Sequence, residues 1–160
     1  MLQPGDVLLW RVVPQAPWKD RLIGWGENLI HQVASDGYEY YHVAFVSNDT
    51  NQMYSSQPPK IDLYPIPKPL PDYVEVYRTI TPLDHVQLIN IFKYAESRRG
   101  RPYPFIGVLT IGWLSGNLEF CSQYTEDSFA CGQVVLSDDI RFTTPDDIAN
   151  SSLIKRVLDV

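Results

Sequence analysis

Two side-chain types in this sequence can together run acyl transfer: the cysteine thiol and the histidine imidazole. The chain carries Cys121 and Cys131, and His31, His42 and His85. Cys121 follows Asn117-Leu118-Glu119-Phe120 and precedes a helical stretch, Ser122 to Ala130, so it falls in the first turn of a helix. Unpaired backbone N–H groups and the positive end of the helix dipole favour a thiolate there. The same N–H groups can hold an oxyanion during acyl transfer. A lone cysteine is more often a small buried hydrophobe, so its position at a helix start is what singles it out. His42 opens the apolar run Val43-Ala44-Phe45-Val46 and is of the right type to take the thiol proton and return it to a leaving group. Strand histidines serve structure about as often as chemistry. His31 lies late in a helical segment, and His85 lies in a first helical turn, where positive charge is unfavourable. Cys131 is about 15 Å along the axis from Cys121 if the helix is regular. Disulfide geometry needs Cα atoms within about 7 Å, so Cys131 is expected as a core or helix-end thiol. Neither Cys-x-x-Cys nor His-x-x-x-His spacing occurs, and no metal site or cofactor is expected.

The elements that must position these residues follow from periodicity and punctuation. Residues 5–13 read as a first strand, ended by Pro14 and Pro17. Leu22, Ile23, Trp25, Leu29, Ile30 and Val33 recur at threes and fours, which predicts a helix over 19–34, stopped by Ser35-Asp36-Gly37. Residues 40–47 form the histidine strand. Asn48-Asp49-Thr50-Asn51 predicts a hairpin turn, and Gln52 to Ser56 the returning strand. A proline-rich stretch follows, holding an edge strand at 60–64, because proline cannot donate to a ladder. Residues 73–79 read as another strand. Thr81-Pro82-Leu83-Asp84 predicts a helix start with Thr81 as N-cap, running to about Arg99 and stopping at Gly100, with Val86, Ile89, Phe92 and Tyr94 on its apolar stripe. Residues 101–117 are an aromatic connection. The Cys121 helix ends at Gly132, Thr144-Pro145 starts a short helical turn, and residues 153–160 predict a closing strand. The expectation is a single α+β domain over residues 1–160.

Composition narrows the partners. Apolar residues make up 44% and charged residues 20% of the 160, which is globular usage. A net charge of -6 disfavours nucleic acid and tight adsorption to anionic membranes. Arg98, Arg99 and Arg101 form a small basic cluster, expected as a solvated helix end complementing the dipole. The N-terminus shows neither a basic region nor an apolar run, and no apolar stretch is long enough to span a bilayer. A cytoplasmic protein with reduced thiols is therefore expected, with no stable membrane insertion.

Four segments resemble the permuted NlpC-type papain-like cysteine hydrolases, especially the bacterial YiiX/YebB-like group. Pro4-Gly5-Asp6-Val7-Leu8-Leu9 is similar to that family's opening Gly-Asp strand, and Tyr41-His42-Val43-Ala44-Phe45-Val46 to its histidine strand. Phe120-Cys121-Ser122-Gln123 resembles its Cys-Ser-Glu nucleophile motif, and Thr144-Pro145-Asp146-Asp147-Ile148-Ala149 its closing Pro-Asp segment. The histidine precedes the cysteine, the reverse of ordinary papain-like order; triads are defined by geometry, so the chemistry is unaffected. The resemblance implies a circularly permuted papain-like α+β fold, with a small antiparallel sheet bearing His42 packed against the helix of Cys121. The family places a polar residue, often Glu, on the strand after the histidine. Here that stretch is Met53-Tyr54-Ser55-Ser56-Gln57, without a carboxylate, and alignment favours Ser55 as the orienter of His42. Gln123 stands where the family commonly has Glu. Tyr40, Tyr41 and Tyr103 are expected at the cleft, with Ser122 and Gln123 beside the nucleophile.

The reading that follows is a thiol hydrolase acting on an amide, ester or thioester of a small peptide or lipid-like acyl substrate. Cys121 is nucleophile and His42 general base, with no cofactor. The alternatives are a lipid acyltransferase similar to lecithin retinol acyltransferase, a decayed binding module, and an assembly subunit.

Overall fold

A computed structural model describes residues 1–12, 39–103, 120–137 and 143–157. The helix expected over residues 19–34, most of the aromatic connection and the end of the closing strand lie outside them. The described elements are β1 (Val7–Arg11), β2 (Tyr40–Val46), β3 (Gln52–Gln57), β4 (Lys60–Pro65), β5 (Val74–Thr79), α1 (His85–Arg98), α2 (Cys121–Cys131), α3 (Pro145–Ala149) and β6 (Ile154–Val157). The strands form a six-stranded sheet in the order β4-β3-β2-β1-β5-β6, and every neighbouring pair is antiparallel.

Side-chain alternation divides this sheet into two faces. Val7, Leu9, Val43, Phe45 and Tyr54 join Ile91 and Ala95 of α1 and Cys121, Tyr124 and Phe129 of α2 in one core cluster. Leu8, Trp10, Ala44, Val46, Met53, Val74 and Val76 form a second. Phe45 is the centre of the first, with its ring 5.4 Å from Tyr54, 5.8 Å from Tyr124 and 5.5 Å from Phe129. Truncation there leaves a cavity under α2, so Phe45→Ala is expected to cost about 3–5 kcal/mol. Urea unfolding checks this through the midpoint at unchanged m-value.

Turn and cap chemistry set the connections. Asp49 accepts from the Asn51 N–H, closing the β2–β3 hairpin as expected. Thr144 and Asp147 cap α3 reciprocally, with Pro145 at its start. The buried Asp6 carboxylate accepts from Arg78 Nε at 2.6 Å and Nη2 at 2.8 Å, and from the Gln3 N–H. That two-pronged pair fixes the Gly-Asp opening of β1 against β5.

Three details differ from the sequence expectation. Helix α1 starts at His85, with Asp84 as N-cap and Gln87 completing a capping box, rather than at Thr81. The carboxylate of Asp84 reaches the Gln87 N–H and so sets the first turn later. The buried face of α1 is carried by Ile91 and Ala95, while Val86 and Ile89 are exposed. Ile91 and Ala95 join Cys121, Tyr124 and Phe129 of α2 in one core cluster, and that packing selects the buried face. Gly132 follows α2 as expected, but with φ -85 it does not supply the left-handed turn; Gln133 does, at φ 63. Gly132 is required by close approach instead, since a Cβ there would lie 2.7 Å from the Ile91 side chain and 3.0 Å from the Gln87 carbonyl oxygen.

Candidate active site

His42 lies on β2 beside a local irregularity. Trp10 faces His42, whereas Arg11 faces Tyr40, so Tyr41 is an extra residue opposite β1. Such bulges re-aim the side chains next to them. The His42 ring packs edge-on to Trp10, with centroids 5.0 Å apart and planes at 61°. Its Nε2 makes a buried 2.9 Å hydrogen bond with Ser55 Oγ on β3, the direction depending on the tautomer. The β2–β3 ladder itself is short, pairing Phe45 with Tyr54 and Val46 with Met53. At the level of His42 and Ser55 the two strands are joined by side chains rather than by registered pairing.

The entry to β2 is held by the closing segment. Asp146 of α3 accepts from the Glu39 N–H at 3.0 Å and the Tyr40 N–H at 3.4 Å. The Tyr40 hydroxyl donates to Glu75 at 2.6 Å, and Glu75 is also paired with Arg11 and Arg156. The bulge therefore starts from a fixed point. Burial pushes the His42 imidazole down to about 4, so the ring is neutral at pH 7.

Cys121 is the first residue of α2, fully buried, after Phe120 at the N-cap. Phe120 supplies no side-chain cap, which leaves the first N–H groups of the helix without that partner. Tyr103 stands edge-on to Phe120, with centroids 6.5 Å apart, and its N–H donates to the Pro59 carbonyl. The Thr125 hydroxyl donates to the Cys121 carbonyl one turn on. Neither cysteine is in a disulfide, and Cys131 lies exposed at the end of the helix.

The structure thus brings His42 to Ser55, and Tyr103 to the residue preceding Cys121. The thiol belongs to the core cluster under α2, while Trp10, which packs on His42, belongs to the other. Tyr40 and Tyr41, expected at a cleft, are buried, one in each cluster. Ser122 is buried, and the Gln123 amide donates to Asp127 at 2.8 Å, one helical turn away. Trp10 and Asp146 also position the histidine strand, and sequence reasoning does not reach them as site residues. A strand tryptophan reads as core, and only strand register reveals its partner. For Asp146 the available signal is the resemblance of Thr144-Pro145-Asp146-Asp147 to a closing Pro-Asp segment.

A solved structure has the same architecture. The crystal structure of the metalloprotein YiiX from Escherichia coli O157:H7 superposes with a TM-score of 0.65, covering 97% of this chain and 96% of that one at 12% identity. The chain has a YiiX-like fold. At that identity the likeness to YiiX speaks for the fold alone. No protein-family model matches the sequence, and no curated protein matches it. Among the described residues, no three His, Cys, Asp or Glu side chains are grouped to hold a metal ion. None of the described helices is long and apolar enough to cross a membrane.

Proposed function

We propose that this chain is a thiol-dependent acyl-transfer enzyme of the permuted papain-like type, acting as a hydrolase on an amide, ester or thioester. The observation that carries the reading is the buried 2.9 Å bond between His42 Nε2 and Ser55 Oγ. A base for a thiol needs one ring nitrogen held and the other left for the reaction, and Ser55 holds Nε2. On this reading the Cys121 thiol gives its proton to His42 Nδ1 and the sulfur attacks the substrate carbonyl. The oxyanion lies against the uncapped N–H groups at the start of α2. The imidazolium returns the proton to the leaving group as the carbonyl re-forms, and water, activated by the same ring, releases the acyl group. The step requires Sγ within hydrogen-bond reach of Nδ1, a contact that commonly tightens when substrate is bound.

The different core clusters of Cys121 and of Trp10, the ring neighbour of His42, favour a second reading, a binding module that retains the fold without turnover. Small activated acyl probes distinguish the two. With a Cys131→Ser background to silence the exposed thiol, p-nitrophenyl acetate or an acetyl thioester is expected to leave an acetyl group on Cys121, detected by mass spectrometry, with turnover of free product. Absence of acetylation on Cys121 over the same range as a simple thiol control decides for the binding module.

A further inference from the structure

We propose that Trp10 is a positioning residue for His42, holding the imidazole plane against Ser55 and keeping water off the ring. The inference rests on the reading of His42 as the base, and it is argued from strand geometry. Trp10 is the cross-strand partner of His42 and is only 8% exposed. Directly opposed residues have Cβ atoms about 4.5–5.5 Å apart, so two rings at such a pair must meet. Here they meet edge-on, at 5.0 Å and 61°.

Among the described residues the ring's hydrogen-bond partner is Ser55. An imidazole turns about two torsions, and the second is broad and roughly two-fold. The Ser55 hydroxyl is a single, rotatable partner, able to donate or accept, and does not by itself choose a ring orientation or a tautomer. A carboxylate orienter would do both, by accepting only. Among the described residues no carboxylate bonds the ring, and the flat aromatic wall of Trp10 fixes the plane. The register break falls between Trp10 and Arg11, so Trp10 and His42 are the last in-register pair before the bulge at Tyr41. The apolar wall also removes water that would otherwise solvate an imidazolium, which agrees with the direction in which burial moves His42.

The test reads the histidine directly. Long-range proton–nitrogen NMR of the full chain reports the tautomer and titration of each imidazole, and His42→Gln assigns the signal among the three histidines. The natural chain is expected to show one neutral tautomer of His42 throughout pH 5–8. Trp10→Leu keeps the site apolar but removes the flat wall; it is expected to raise the His42 titration midpoint by at least about one unit and to mix the two tautomers. Trp10→Phe restores a ring and is expected to return both readings close to those of the natural chain. A folded Trp10→Leu protein whose His42 tautomer and midpoint match the natural chain overturns the proposal, as does a Trp10→Phe protein no closer to the natural chain than Trp10→Leu. Alkylation of Cys121 in the same proteins separates the two readings. If the His42 signals respond to Trp10 while thiol reactivity is indifferent to His42, the positioning role stands and the catalytic reading fails.

Discussion

Replacing Glu126 by glutamine is expected to stabilise the protein at pH 8 by about 2–3 kcal/mol and to leave it nearly unchanged at pH 4.5. Glu126 lies inside α2 and is 1% exposed. Its Oε2 accepts from the Leu136 N–H at 2.9 Å, pinning the segment after the helix. Burial, with the neighbouring Asp127 adding to it, pushes its carboxyl from 4.5 up to about 7. The folded state therefore binds the Glu126 proton more tightly than the unfolded chain between those values. Stability from this group is complete below pH 4.5 and is lost as pH rises through 7. Glutamine keeps an acceptor for Leu136 and carries no charge at any pH.

His42 acts in the opposite direction. Its folded value lies near 4 against 6.5 for a free imidazole, so the unfolded chain binds the extra proton between them. Stability then rises with pH from about 4 to 6.5 and is complete above. The two slopes overlap and largely cancel in the natural chain between about pH 4.5 and 6.5, while burial of Asp146 adds to the Glu126 direction. Removing Glu126 is expected to uncover the rising slope of His42, and His42→Gln the falling slope of Glu126. Urea midpoints from pH 4 to 8 for the three proteins check both signs; parallel profiles for all three would contradict the assignments.

A second large effect is expected on catalysis. Cys121→Ser is expected to abolish acylation by the probes described above, and His42→Ala to slow it by about 10²–10⁴-fold. Ser55→Ala removes a neutral hydrogen bond worth about 1 kcal/mol and is expected to cost about five- to tenfold. A Ser55→Ala loss equal to that of His42→Ala would give Ser55 a larger part than orienting a ring. All three rates come from single-turnover measurements in the Cys131→Ser background, with folding checked by circular dichroism.

The strands were legible because their chemistry is local. The β2–β3 hairpin is written in Asp49 and Asn51, and α3 in the Thr144–Asp147 box, where each side chain bonds backbone within a few residues. The start of α1 was misplaced because Thr81-Pro82 and Asp84 are both cap signals, and only tertiary packing of Ile91 and Ala95 chooses between them. The pairing of His42 with Ser55 was reached through resemblance on the following strand, not from periodicity. The bulge at Tyr41 was not legible, since one extra residue in a strand leaves no mark on an unbroken apolar run. Nor were the separate core clusters of Cys121 and Trp10, because face assignment beyond a bulge depends on where the count resets.

The most direct test of the thiol–imidazole chemistry is the rate of Cys121 alkylation by iodoacetamide between about pH 5 and 9, with Cys131 replaced by serine, in the presence and absence of His42. An unassisted thiol reacts with a midpoint near 8.5, and an assisted one roughly between 3.5 and 7.5. The account predicts reactivity that persists below about pH 7.5 and falls at least tenfold at pH 7 in His42→Ala. A profile with its midpoint near 8.5, unchanged by the substitution, would contradict it and leave the fold as a binding module.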